Sequence, residues 1–243
     1  MNVTTITDPS TGVLVSDVVN KTVAVISHNW KQFRPAHIVL TGGRTGVLIA
    51  ETLDIELFRL ISADKSGDVF DLHIWFSDER FTDLLDPERT DTKLIAAFTK
   101  SIKSKFLRIH FHRVSSPNLV TLEDAADDYS HLLDDLLSEH PFDAVILSMG
   151  EDGHVASLFP GLDSTLHSFK LAVAVDNSPK PPAERVSISV DRLANASAIY
   201  IFALGEGKRE ALVNLLEHHD GPVAMLQEVG RFAQMVIATD LQI

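Results

Sequence analysis

The chain contains no cysteine in its 243 residues, which excludes disulfides, thiolate nucleophiles and cysteine-based zinc sites and fits a reducing compartment. It has no apolar run approaching the roughly 18 residues that a membrane span needs. Its first residues, MNVTTITDPSTG, lack the basic region and apolar core of a secretory signal. The expectation from these absences is a soluble cytoplasmic protein with no membrane partner. Basic residues are scarce too. Lys and Arg number 21 against 34 Asp and Glu, for a formal charge of −13, and no basic run occurs. Binding to a nucleic-acid backbone depends on cations gathered on one face, so nucleic acid is excluded as a partner. An anionic ligand would instead meet a few cations placed against an unfavourable overall field, which makes the position of each Lys and Arg informative. The GxSxG elbow of α/β-hydrolases, the Walker phosphate loop and the GxGxxG dinucleotide turn are all missing.

What is present is a 45% hydrophobic content, enough for a buried core without covalent staples. Residues 13–30 read as a first helix. A β-branched run at 37–41 breaks at Gly42-Gly43, and a helical pattern starts near Thr45. The segment 72–80, LHIWFSDER, reads as a strand ending in a charged cluster, followed by a polar loop to Asp91 and a helix from Thr92. Residues 107–114 alternate as a strand. Residues 121–139 place Leu122, Ala125, Ala126, Tyr129, Leu132, Leu133 and Leu136 at helical spacing, with Thr121 and Asp124 as a capping pair. Strands are expected at 144–147, 171–175, 199–204 and 232–238, a proline-rich loop at 177–185 and a helix at 208–218. Strands alternate with helices, without repeat, low-complexity tract or linker. The expected fold is therefore α/β, a mostly parallel sheet covered on both faces, in a single domain over residues 1–243.

The stretch 147–161, LSMGEDGHVASLFPG, leads from a strand through a glycine-flanked acidic turn to His154, at the start of what reads as a short helix. Gly150 and Gly153 permit a turn that a Cβ would forbid. Asp152 is close enough to accept the second N–H of the imidazole and hold one tautomer, which makes His154 a candidate general base. The alternative is a helix capped by Asp152 with a solvated histidine. Three strand ends carry glycine or charge: residues 41–46, 77–80 and 150–154. A parallel sheet puts such ends along one edge, where the turns can meet in a single crevice. Gly42-Gly43 opening a helix suits an anion, with Arg44 and Thr45 as added donors; it also suits a plain tight connection. Asp78-Glu79-Arg80 sends neighbours to opposite faces, so that a carboxylate orients a partner while Arg80 reaches the crevice, or the cluster is a surface ion pair. Lys180 and Arg185 stand in a loop stiffened by prolines, either an anion clamp or a surface connection. Lys208 opens a helix, where a cation opposes the dipole unless it faces a bound phosphate. His110 with His112, and His218 with His219, read as packing or surface residues without metal-ligand spacing.

In this order, GxDGHxASLFPG after a strand, WxxDER upstream, a TGG loop near the start, SPKPPxERVS downstream and a later GxxK resemble the 6-phosphogluconolactonase family over residues 39–208. The resemblance implies a Rossmann-like three-layer α/β/α sandwich related to glucosamine-6-phosphate deaminase, with no metal or cofactor. It implies a catalytic histidine at His154, its acid at Asp152 and the motif arginine at Arg80. Phosphate contacts fall on Gly42, Gly43, Arg185 and Lys208, with Lys180 close by; Arg44, Thr45 and Asp78 complete the expected substrate-binding set. The expected activity is hydrolysis of 6-phospho-D-glucono-1,5-lactone, a small sugar-phosphate lactone, in the oxidative pentose phosphate pathway, by a monomer or a dimer. The chain departs from the family where its loop has Thr41, Arg44 and Gly46 instead of SGGSTP, and where Arg89-Thr90 replaces Arg-Asn or Ser-Asn. Ser157-Leu158-Phe159-Pro160 stands where the related deaminases carry Phe-Asn-Glu-Pro, so their ring-opening glutamate is missing. A deaminase or isomerase of amino-sugar phosphates, and a sugar-phosphate sensor without turnover, are the competing functions.

Overall fold

A computed structural model describes residues 2–138, 140–166, 168–230, 232 and 234–242. Strands β1 (Asn2–Thr7), β2 (Ala36–Leu40) and β3 (Phe70–Phe76) belong to the main sheet, while β4 (Asp78–Arg80) leaves it. β5 (Leu107–His112) and β6 (Ala144–Ser148) return to the main sheet, β7 (Ala172–Val175) and β8 (Arg185–Ile188) lie outside it, and β9 (Ala198–Ala203) and β10 (Gln234–Thr239) complete it. The main sheet has the order β1-β10-β9-β6-β2-β3-β5, with every pairing parallel. The central strands read AHIVL, AVILS and AIYIFA because a parallel sheet covered on both faces has no solvent side to encode.

Alternate residues feed two cores. Val39, Trp75, Val145, Leu147, Ile199 and Ile201 pack beneath α4 (Leu122–Leu137), α7 (Arg209–His218) and α8 (Pro222–Val229). Ile38, Leu40, Ile74, Phe76, Ile146 and Phe202 face α1 (Thr11–Trp30), α2 (Gly43–Ala63) and α3 (Thr90–Ala97). The α/β/α sandwich expected from the sequence is therefore present. Helix α4 begins where its capping pair indicates: Thr121 Oγ1 accepts from the Asp124 backbone N–H at 3.2 Å while the Asp124 carboxylate accepts from that of Thr121. Such a cap is worth about 1 kcal/mol.

The chain builds β2, β3 and β5 on one side, then places β6, β9 and β10 on the other, so the winding reverses between adjacent β2 and β6. Crevices at such reversals, beyond the carboxyl ends of the strands, are where open α/β sheets bind ligands. Several expectations need correction. The run 72–80 is two strands broken at Ser77, the strand expected over 107–114 ends at His112, and the helix expected over 121–139 ends at Leu137, with Glu139 outside the described residues. The last strand begins at Gln234, Ala233 lying outside the described residues. Arg185, read as the end of a loop, opens β8, which pairs antiparallel with both β4 and β7 in a second, three-stranded sheet. Its Ile188 N–H bonds Ser77 O at 2.9 Å and ties this sheet to the end of β3.

Candidate active site

A cavity of about 240 Å³ lies at the carboxyl edge where β2 and β6 meet, lined by Thr41, Gly42, Gly43, Asp78, Arg80, Thr90, Ser148, Met149, Gly150, His154, Ala156, Lys180, Arg185 and Lys208. All three strand ends singled out in the sequence contribute. Larger hollows exist, including one of about 500 Å³ around His28, Arg34 and His37, but the smaller one concentrates cations beside a histidine.

His154 is held by a tight turn. Gly150 N–H donates to His154 O at 2.7 Å and Gly153 N–H to Gly150 O at 3.2 Å. A Cβ on Gly150 would lie 2.0 Å from His154 Nδ1, so this position admits only glycine while the imidazole stays where it is. The expected short helix at His154 does not form: Gly153 and Ala156 adopt φ of 83° and 53°, and left-handed residues cannot propagate a right-handed helix. The next helix, α5 (Asp163–Leu166), starts nine residues later.

Asp152 Oδ1 accepts from His154 Nδ1, and the imidazole leans against the Phe159 ring with centroids 4.5 Å apart. Among the described residues no side chain bonds Nε2. Burial pushes the imidazole below its ordinary pKa, more than the Asp152 hydrogen bond and charge raise it, with Lys180 adding to the lowering. Burial would raise the Asp152 carboxyl, but the bond from His154 and the charges of His154 and Lys180 hold it below the usual range. The neutral imidazole needed by a general base is thus the favoured form at neutral pH.

The anion side is built by β2 and α2. Gly43 adopts φ 72°, and a Cβ on Gly46 would lie 2.0 Å from Thr41 O, so this helix starts against the strand end only because glycine stands there. Gly42 and Gly43 therefore bring a helix N-terminus to the crevice. Arg44 is exposed, and neither Arg44 nor Thr45 lines the cavity. Thr90 takes their place, its Oγ1 2.9 Å from where a Cβ of Gly42 would stand.

Thr90 is delivered by a buried charge network that the sequence did not reveal. Glu79 is fully buried and accepts from the backbone N–H groups of Arg80, Thr90 and Asp91 at 2.7, 2.8 and 2.8 Å. Burial and then the Asp91 charge push its carboxyl up. Arg89, also fully buried, bonds Asp91 at 2.8 Å and the carbonyls of Thr82 and Val114 at 2.9 and 2.8 Å. The advance signals were the density of charge in DPERTD and the departure from the family pattern at Arg89-Thr90.

Four cations line the cavity. Arg80 donates to Glu88 O at 2.6 Å and stands directly opposite Arg185 in the β4–β8 pairing. Opposed like charges destabilise an antiparallel pair, so this register is costly unless an anion is accommodated. Asp78 accepts from Ser157 Oγ at 2.6 Å and lies 3.8 Å from Arg185 Nη1. Lys180 Nζ lies 3.4 Å from His154 Nδ1 and 3.6 Å from Asp152 Oδ1. Lys208 closes a 3₁₀ turn, Glu206–Lys208, just before α7 and not within its first turn; burial lowers its ammonium pKa, Glu151 opposing and Lys180 adding. Ser148, Met149 and Ala156 complete the wall; they went unnoticed because nothing in their chemistry marks them.

The chain matches the family described as glucosamine-6-phosphate isomerases/6-phosphogluconolactonase over residues 9–234. It is 31% identical over 191 residues to a 6-phosphogluconolactonase of Streptomyces coelicolor, covering 74% of this chain and 70% of that one. It is 29% identical over 212 residues to a 6-phosphogluconolactonase of Mycobacterium tuberculosis, covering 84% and 82%. Among solved structures, the 6-phosphogluconolactonase from Leishmania guyanensis has the same fold, with a TM-score of 0.79 at 18% identity over 98% of this chain and 97% of that one.

Proposed function

The chain belongs to the glucosamine-6-phosphate isomerase/6-phosphogluconolactonase family, and from that premise we propose that it hydrolyses 6-phospho-D-glucono-1,5-lactone to 6-phospho-D-gluconate, a step of the oxidative pentose phosphate pathway. The observation that carries this reading is the meeting of a carboxylate-backed imidazole and four cations in one crevice of a protein with net charge −13. Local cations against a repulsive global field suit an anionic small molecule.

His154 Nε2 takes a proton from water as that water attacks the lactone carbonyl, and returns it to the ring oxygen as the ring C–O bond breaks. Positioned acid–base catalysis of this kind is worth roughly 100 to 10,000-fold. Asp152 fixes the tautomer by accepting from Nδ1. Arg80 stabilises the negative oxygen of the tetrahedral intermediate, a role worth about 3 to 4 kcal/mol. The phosphate is anchored at the Gly42–Gly43 turn by the α2 N-terminus, with Thr90 and Lys208 beside it, so that remote binding energy holds the carbonyl next to the base.

The test is a coupled assay of 6-phosphogluconate formation with and without the protein, corrected for spontaneous hydrolysis. Acceleration supports the proposal. Ammonia release from glucosamine 6-phosphate without lactone turnover, or binding of the sugar phosphate without either reaction, overturns it. Asp78 is the sole carboxylate among the described residues lining the cavity, which leaves the deaminase reading without a second acid there.

A further inference from the structure

Arg185 lines the crevice, yet its donors are directed elsewhere. Nε donates to Pro182 O at 3.2 Å, Nη2 to Lys180 O at 3.1 Å and to Pro181 O at 3.4 Å, and Nη1 to Ser157 Oγ at 3.4 Å. A guanidinium has five N–H groups, so one remains. The guanidinium is a buried plug around which residues 178–183 close: Ser178 N–H donates to Ala183 O at 3.0 Å, and Ser178 Oγ bonds both O and N of Lys180 at 3.0 and 3.2 Å. The backbone of Lys180 is thus fixed on three sides. Its side chain, about half exposed, reaches back to the imidazole and its carboxylate.

We propose that Lys180 acts on the base and not on the phosphate: its ammonium, set beside the Nδ1 edge of His154, opposes protonation of the imidazole, and Arg185 is the positioning residue that places it. The inference rests on His154 being the general base of the proposed reaction. The charged groups facing His154 are Asp152 from its own turn, Asp78 from β4 and Lys180 from the proline loop, with the Phe159 ring closing an apolar side. Both carboxylates favour the imidazolium. An Asp–His pair without a compensating cation would hold its proton to higher pH and leave less base at neutrality. Lys180 adds to the burial that opposes that pull, while Asp152 still fixes the tautomer.

The experiment is a histidine NMR titration of the free protein, with the His154 signal assigned by its loss in His154→Asn, run beside the pH profile of kcat/KM. In Lys180→Met the His154 midpoint rises by about half a pH unit, the size expected of a half-exposed charge pair. The acid limb of kcat/KM moves up with it, and Lys180→Arg restores both. Arg185→Gln gives the same upward movement, and the double variant moves no further than Lys180→Met alone. An unmoved midpoint in Lys180→Met overturns the tuning role, as does a rise in KM at unchanged pH profile, which would make Lys180 a substrate contact. A further rise on adding Arg185→Gln to Lys180→Met shows that Arg185 does not act through Lys180. The titration is read without turnover, so absence of lactone hydrolysis in the wild-type protein would count against the proposed reaction and leave the titration to judge Lys180.

Discussion

His154 stands at the carboxyl edge of the sheet with a carboxylate on one ring nitrogen and an ammonium beside it, whereas His37, His73 and His112 lie within β2, β3 and β5 and touch mainly one another. In that second group His37 stacks on His73 at 4.2 Å, His73 Nδ1 meets His112 Nε2 at 2.9 Å, and His112 stacks on Trp75 at 3.9 Å. Trp75 Nε1 donates to His37 Nδ1 at 3.3 Å, closing the cluster. Burial first, then the neighbouring histidines, lower His37 to about 3 and His112 to about 3. Burial and His110 lower His73 to about 4. Both groups hold neutral imidazoles, with burial the first cause in each, but they differ in what faces the ring. The ladder is neutral because charge has nowhere to go, so it serves as aromatic packing with internal hydrogen bonds. His154 is also lowered first by burial, but Asp152 and Asp78 favour its proton and Lys180 opposes it beside a cavity, where a proton can be taken up and returned.

The largest way to break this contrast is at His154. His154→Ala should lower kcat for lactone hydrolysis by roughly 100 to 10,000-fold with KM close to wild type, measured in the coupled assay with circular dichroism confirming the fold. Wild-type turnover in this variant would remove the base from the mechanism. His73→Phe, which keeps a stacked ring, should retain kcat at pH 7.

The ladder has its own signature. Its imidazoles have folded pKa values below the unfolded value of about 6.5, so the unfolded chain binds more protons. The stability they allow is fully present above pH 6.5 and is lost as pH falls toward 4 and then 3. Each contributes a slope of up to roughly 1.4 kcal/mol per pH unit in that window. Urea midpoints at pH 7, 5.5 and 4.5 should therefore fall more steeply in the wild type than in His73→Phe, by about 1 to 2 kcal/mol over the range. Parallel declines would show that the ladder does not titrate on unfolding.

The two regions also differ in how far they could be read in the sequence. The crevice was legible because its parts sit at punctuation marks: Gly42-Gly43, the charged run at Asp78 and the glycine-flanked turn before His154 each follow an apolar run, and a parallel sheet sends such ends to one edge. The central strands were legible because their runs are continuous and β-branched, and α4 because its apolar spacing and capping pair agree. The ladder was not legible, since His37, His73, Trp75 and His112 meet only through the register of β2, β3 and β5, which sets His37 opposite His73 and Trp75 opposite His112, and no local pattern encodes register. For the same reason β4, three residues long, was merged with β3, and β8, four residues long, was missed, and with them the opposition of Arg80 to Arg185. Strand β1 escaped because NVTTIT is largely exposed at the sheet edge, and α8 because the Gly221-Pro222 step at its start, three residues after α7 ends, reads as a turn.

Among the cations, Lys208 should show the next effect. It lines the crevice within the field of Glu151, Asp152 and Lys180 and has no hydrogen-bonded acid of its own among the described residues, so its role is tied to the ligand. Lys208→Ala should raise KM about 10-fold, equivalent to about 1.4 kcal/mol of phosphate binding, while kcat stays within a factor of two to three of wild type. A fall in kcat at constant KM would move Lys208 from the phosphate to the reacting centre.

Arg44 provides the smallest effect and the most direct check on how the anion is held. From sequence it is an attractive phosphate ligand, a guanidinium one residue past the glycine turn. In the structure it is exposed on the outer side of the first turn of α2, outside the cavity lining, whereas Thr90 packs onto Gly42 from within. A solvated charge at that distance acts only through screened field, worth a few tenths of a kcal/mol at physiological salt. Arg44→Ala should therefore leave KM within about two-fold, and Thr90→Val, which removes only the hydroxyl, should raise it more. If the order is reversed, the phosphate sits over the outer face of the α2 N-terminus, and the crevice holds the sugar ring in the opposite direction.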